Sequence, residues 1–412
     1  MNLCVSLKVL LIFGVSAVYC EKITYREAEQ IFQKVLSSKE EFQDDSQSRS
    51  IFSALAGRFT SFMRDHDKVY DSEDELFQRN ENFIANVDLV EDISIADRGT
   101  ARYGINKFSD LSAEELQQRA GLNINWKGIR VLKDNFGSSL QEDNNRTELE
   151  KQSVNTAINW KKREPKSLDW RDKGVISKVK NQGRCSSCWA FSSVGVVEAM
   201  NAIARNDLVE LSVQQLVDCD KSNDGCHGGL MDTAFDYIIK SGGVESEADY
   251  PYLGYLSEDG CQVKEGNKKK KYGMEKYTRI PQGGEEAMKK WLAQHGPLSV
   301  GINARGIFFY TGGIIALSEV GCYPKAQNHA VIVVGYGEEK KRFGKTIPYW
   351  IVRNTWGEDW GEKGYFRMKR GANICGISEF VHGVEVKNEE HETQNVNNNR
   401  NEKNTLWDYL DC

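Results

Sequence analysis

An apolar helical segment with a thiol near its start constrains this chain most. After Cys188, Val194, Val196, Val197, Met200 and Ile203 recur at mixed one-, three- and four-residue steps, the pattern of a helix buried on most of its sides. Such a helix needs other layers built around it. It also sets Cys188 at the positive end of the helix dipole, where a thiolate is stabilised. The surrounding run is Gln182-Gly183-Arg184-Cys185-Ser186-Ser187-Cys188-Trp189-Ala190-Phe191-Ser192. Its Cys-x-x-Cys pair also reads as a redox dithiol, a reading that calls for a βαβ context, or as half of a zinc site. No second Cys-x-x-Cys or spaced histidine pair completes four zinc ligands, so neither metal nor cofactor is expected.

A cysteine nucleophile needs a base within hydrogen-bond reach and a group that orients the base. The chain has six histidines. His66 lies in a charged upstream segment, His391 in a polar tail, His227 and His295 in glycine-containing turns, and His382 in a strand pattern near the end of the globular region. His329 opens Val331-Ile332-Val333-Val334-Gly335-Tyr336-Gly337, a buried-strand pattern, and is predicted to be exposed enough to titrate and rigid enough to aim. Asn354-Thr355-Trp356-Gly357 follows the next strand pattern.

Together these stretches resemble the papain/cathepsin family of cysteine proteases. His329 falls within the roughly 130–150 residues that separate cysteine and histidine in that family. Asn354 overshoots that spacing, which we attribute to a polar surface loop over residues 338–348, since such loops lengthen without moving their ends. Two residues depart from the family pattern: Ser186 replaces glycine and Thr355 replaces serine. By position, the resemblance implies a Cys188 thiolate paired with a His329 imidazolium, with Asn354 holding the ring and Trp356 shielding that bond. Gln182 and the Cys188 N–H would bind the oxyanion. Residues Gly228, Gly229, Leu230, Met231, Gln327, Ala330, Trp356 and Phe380 would bind substrate. Gly228 and Gly229 would pair with the peptide backbone. Leu230, Met231 and Ala330 would line the pocket for the residue two before the cut, Phe380 would make it shallow, and Gln327 would make its wall more polar. Such a pocket takes Val or Leu over Phe. A glycine position with φ > 0 filled by Ser186 would cost about 1–2 kcal/mol and crowd the neighbouring pocket.

The chain has ten cysteines. With Cys4, Cys20, Cys188 and Cys412 set aside, six remain, which sequence alone allows to pair in fifteen ways; the resemblance selects Cys185–Cys226, Cys219–Cys261 and Cys322–Cys375. Disulfides fit a start that reads as a secretory signal, with an apolar run over residues 9–20 before Glu21-Lys22 that is too short to span a bilayer. Both Ala17 and Cys20 suit cleavage. Lysosome, endosome and extracellular space all stay open. A net charge of −6 gives no sign of a nucleic-acid partner.

Residues 21–163 are polar and rich in helical spacing. Glu75, Arg79, Phe83, Asn86 and Val90 match the helix motif of the inhibitory prosegments of cathepsin L-like enzymes, with Ser94 in place of the final asparagine. Gly104, Asn106, Phe108 and Asp110 match the second motif. The resemblance thus implies a propeptide that inhibits its own enzyme. Residues 122–160 read as a flexible insertion with one glycosylation sequon at Asn145. Lys161-Lys162-Arg163 precedes Glu164, the expected propeptide cleavage point. Residues 164–387 read as the mature domain, in which helix patterns come first and strand patterns follow at 298–302, 330–337, 349–353, 365–369 and 380–386. That order indicates an α+β fold and, by resemblance, the two-lobed papain-like architecture with the cleft between its lobes. Residues 388–412 read as an Asn-rich disordered tail. No occluding insertion or mini-chain of the exopeptidases occurs, so an endopeptidase acting on peptides and proteins, monomeric once processed, is expected. A catalytically impaired binding protein and a thiol–disulfide oxidoreductase are the alternatives.

Overall fold

The computed structural model describes residues 22–38, 45–122, 164–263, 269–317, 321–340 and 346–386. The signal segment, Asn145, Arg163, Cys412 and the tail lie outside them. The chain forms two compact units.

The first unit is the helical prosegment, with α1 (Tyr25–Ser38), α2 (Ser46–Asp65) and α3 (Glu73–Ala96). Asp45 caps α2 by accepting the Gln47 N–H. Glu73, Asp74 and Glu75 sit in the first turn of α3, where negative charge meets the positive helix end. The core is aromatic, with Phe32, Phe59, Phe62 and Phe83 packed together. The two motifs meet where Arg79 Nη1 donates to the Asp110 carbonyl at 3.3 Å, and neighbouring residues reinforce the contact. Arg79 pairs with Glu115 at 2.5 Å, and Asn86 Nδ2 donates to the Ser109 and Leu111 carbonyls. Asp110 takes Lys68 at 2.7 Å and the Tyr70 hydroxyl at 3.0 Å. Residues 307–311 belong to this unit, where the Phe308 carbonyl accepts from Asn106 Nδ2. There β1 (Arg102–Tyr103) pairs with β5 (Tyr310–Gly312), and α4 (Ala113–Gln118) follows in sequence.

The second unit is α+β. Its helical part contains α5 (Cys188–Arg205), α6 (Val213–Cys219), capped by Ser212, and α7 (Met231–Lys240); α8 (Glu285–Gln294) lies beside the sheet. The sheet comprises β2 (Leu168–Asp169), β3 (Lys276–Ile280), β4 (Leu298–Ile302), β6 (Ile314–Ile315), β7 (His329–Lys340), β8 (Thr346–Arg353), β9 (Tyr365–Lys369) and β10 (Val381–Glu385). Its order is β3-β10-β4-β7-β8-β9-β6, with β2 on β7; every pairing is antiparallel except β6 with β9.

Every residue from Cys188 to Ala202 is buried, as the apolar pattern predicts. Helix α5 meets β7 at Gly195, where an added Cβ would lie 2.4 Å from Ile332 Cδ1. That close approach fixes the start of α5 relative to the start of β7, and hence Cys188 relative to His329. The expected loop at 338–348 is instead largely a hairpin, with Glu338, Glu339 and Lys340 paired to Pro348, Ile347 and Thr346. Polar residues read as loop here because this end of the ladder faces outward. His382 is buried in β10 with both ring nitrogens unpartnered among the described residues. Burial pushes its pKa down to about 3, so it stays neutral.

Candidate active site

Cys188 is the only free cysteine among the described residues. Cys185 is bonded to Cys226, Cys219 to Cys261 and Cys322 to Cys375. With Cys185 engaged elsewhere, Cys185 and Cys188 cannot act as a redox dithiol. The Cys188 Sγ accepts the Ala330 N–H at 3.4 Å, and its S–H donates to the Ala120 carbonyl.

His329 Nδ1 lies 3.1 Å from the same Ala120 oxygen, and Nε2 lies 2.8 Å from Asn354 Oδ1. The Thr355 N–H donates to that Oδ1 at 2.8 Å, which sets the oxygen of the Asn354 amide, not its NH2, toward the ring. Nε2 therefore carries a hydrogen, and Nδ1 is the nitrogen free to gain or lose one. Trp356 stacks on the imidazole, with centroids 4.7 Å apart and planes 22° apart.

The predicted exposure of His329 is wrong: the ring is fully buried. In this covered form the thiolate–imidazolium pair expected of the active enzyme is not favoured. Burial pushes the Cys188 thiol up to about 12, opposed by the Ala330 N–H. Burial also lowers the His329 pKa, against the Asn354 Oδ1 and Ala120 carbonyl oxygens, which as acceptors favour a protonated ring. Both shifts favour neutral partners.

The covering segment is residues 117–122. A turn from Gln117 O to Ala120 N leads into it. Gly121 pairs with His329 on one wall, and Leu122 pairs with Gly229 on the other; the Leu122 N–H donates to Asn328 O and the Gly229 N–H to Gly121 O. The Gly228 carbonyl instead accepts the Asp224 N–H, so only Gly229 of the two predicted glycines is seen pairing with this backbone. The Leu122 side chain shares one core cluster with Met231, Ala330 and Phe380, with Leu230 packed against it. Leu122, predicted to begin a flexible insertion, is thus buried in the core with them. Ser186 does not have positive φ, so the predicted backbone strain is absent. Its hydroxyl donates to the Gln118 carbonyl.

Gln182 Nε2 donates to Cys185 O and Arg119 O, both at 3.0 Å. Its Oε1 accepts the Thr355 hydroxyl at 2.6 Å. One amide hydrogen is thus tied down within the loop and the other points at the covering segment, at the carbonyl next to the one Cys188 meets.

Residues 164–384 match the family described as papain family cysteine protease, and residues 59–116 match the cathepsin propeptide inhibitor domain (I29). The chain belongs to the papain family of cysteine proteases. Cathepsin F of Drosophila melanogaster is 38% identical over 324 residues, 78% of this chain and 49% of the fly protein, so the chain spans about half the length of that relative. Cysteine proteinase 1 of Dictyostelium discoideum is 35% identical over 347 residues, covering 81% of this chain and 94% of that protein. The structure of digestive procathepsin L2 proteinase from Tenebrio molitor larval midgut superposes with a TM-score of 0.66 at 30% identity, covering 81% of this chain and all of that one.

Two contributors to this papain-family site escape sequence reasoning. Thr355 orients both amides, Gln182 through its hydroxyl and Asn354 through its N–H; its sequence signal was only a departure from serine. The Tyr252 hydroxyl donates to the Gln182 carbonyl at 2.9 Å and lies 2.8 Å from Ser187 Oγ. Burial pushes its pKa up to about 12, so it remains a donor while bracing the loop that leads to Cys188. No local pattern around Tyr252 marks this role.

Proposed function

We propose that the chain is the inactive precursor of a cysteine endopeptidase, with residues 1–20 as signal, 21–163 as propeptide, 164–387 as mature enzyme and 388–412 as tail. Arg163–Glu164 is the processing point, and Asn145 is the glycosylation site. The observation that carries the reading is that Cys188 and His329 meet the Ala120 carbonyl while Gln182 and Trp356 meet the adjacent Arg119 carbonyl, so the four side chains converge on one stretch of bound backbone.

Once the segment leaves, water returns and the thiol proton moves to His329 Nδ1, while Asn354 holds Nε2–H. The thiolate attacks a peptide carbonyl, and the developing oxyanion takes hydrogen bonds from Gln182 Nε2 and the Cys188 N–H. His329 then protonates the leaving amine, and water hydrolyses the thioester. The pocket holding Leu122 takes the residue two before the cut and accepts Val or Leu over Phe. The propeptide inhibits in cis. The three disulfides support a secretory route to a lysosome or the outside; among the described residues no helix is long and apolar enough to cross a membrane.

The test is cleavage of internal bonds in a protein substrate by the processed chain. We expect it in the native sequence and expect none for Cys188→Ala. A processed, folded chain that binds peptides without cutting them would instead be a binding protein on this fold.

A further inference from the structure

Gln327 stands in the wall of the pocket that holds Leu122. A Cβ built on Gly301 would lie 3.0 Å from Leu122 Cδ2, 3.4 Å from Phe380 Cβ and 3.6 Å from Gln327 Cδ. The leucine methyl and the glutamine amide therefore border the same small volume. Gln327 is only 5% exposed. Its Nε2 donates to the Gly301 carbonyl at 3.0 Å and to the Gly376 carbonyl. Turning the amide over would set its oxygen against two carbonyl oxygens, so the orientation is locked. Oε1 is thereby left buried with no partner among the described residues.

A buried acceptor without a donor is rare in folded proteins and costs free energy for as long as it stays unpaired. Leu122 cannot relieve it, and neither can a valine, leucine or phenylalanine from a substrate. A short side chain carrying one donor can. Threonine is the closest match because it has the shape of valine with a hydroxyl in place of one methyl.

We propose that Gln327 Oε1 is a specificity determinant that selects a hydroxyl-bearing side chain, threonine above all, two residues before the cut bond. This rests on the proteolytic reading above and narrows it. A purely apolar pocket penalises threonine against valine, because the hydroxyl loses its water without compensation. Gln327 removes that penalty by accepting the hydroxyl hydrogen. No proton is transferred.

The experiment measures kcat/KM of the processed enzyme on peptides that differ only at that position, valine against threonine. Threonine is expected to be cut at least as efficiently as valine. In Gln327→Met, which keeps the volume and removes the acceptor, the threonine-to-valine ratio is expected to fall about tenfold; reading a ratio cancels any general loss of activity. A preference for valine over threonine in the native enzyme, or a ratio unmoved by the substitution, overturns the proposal. Should the variant not fold, allo-threonine, which exchanges the hydroxyl and methyl positions, replaces it: cutting at a rate different from threonine supports a directed acceptor, and equal rates overturn it. If no peptide is cut and Cys188 resists labelling, the proteolytic reading fails instead.

Discussion

Replacing Gly121 by valine in the intact precursor is expected to raise the rate at which a peptidyl epoxide labels Cys188 by about 10²–10³-fold. Gly121 has φ +71°, and a Cβ there would lie 2.4 Å from the Ser186 carbonyl oxygen and 2.8 Å from its Cα. These are backbone atoms, which no rotamer change can move aside. A left-handed conformation alone costs a substituted residue about 1–2 kcal/mol. Lifting the segment to escape the clash also gives up the burial of Leu122, worth about 1.5–3 kcal/mol for a leucine side chain. Alanine should act in the same direction with a smaller effect. Labelling at the native rate would mean that residues 117–122 are not what covers the thiol.

Gln182→Ala is expected to lower kcat of the processed enzyme by about 10²–10³-fold while leaving KM within a few-fold, the usual result of losing one oxyanion donor. The geometry supports a loss confined to turnover. In the precursor the outward Nε2 hydrogen meets a neutral carbonyl, that of Arg119, while the Thr355 hydroxyl and Cys185 carbonyl hold the rest of the amide still. The same donor grows stronger as charge develops on a substrate oxygen. Steady-state kinetics on one peptide decides the matter: kcat within a few-fold of native would remove Gln182 from the mechanism.

The proposed nucleophile was legible because an apolar helix beginning at Cys188 leaves the sulfur at a helix start, and His329 because it opens an uninterrupted apolar strand. Strands 298–302 and 365–369 were read to the residue, since their apolar runs end at turn residues. What sequence could not give is spatial. The burial of His329 depends on a segment some two hundred residues earlier, and nothing near Leu122 says that its side chain is buried. Thr355 and Tyr252 act through hydrogen bonds to residues far away in the chain, which leave no periodicity behind. The hairpin after Gly337 was read as loop because its outer residues are charged, although backbone pairing continues through them. Ser186 was expected to be strained by analogy with glycine, but its backbone conformation is ordinary and its hydroxyl has a partner.

The most direct measurement is the pH dependence of iodoacetamide alkylation at Cys188, followed by peptide mapping, in the precursor and in the processed enzyme. In the precursor, burial pushes the thiol up to about 12, so the proton is retained across the physiological range and alkylation should be slow, rising only at strongly alkaline pH. In the processed enzyme a hydrated thiol beside His329 should behave as in papain, whose paired cysteine titrates at roughly 3–4, and alkylation should be fast from mildly acid pH upward. One and the same profile for both forms would contradict a thiol switched on by removal of residues 117–122.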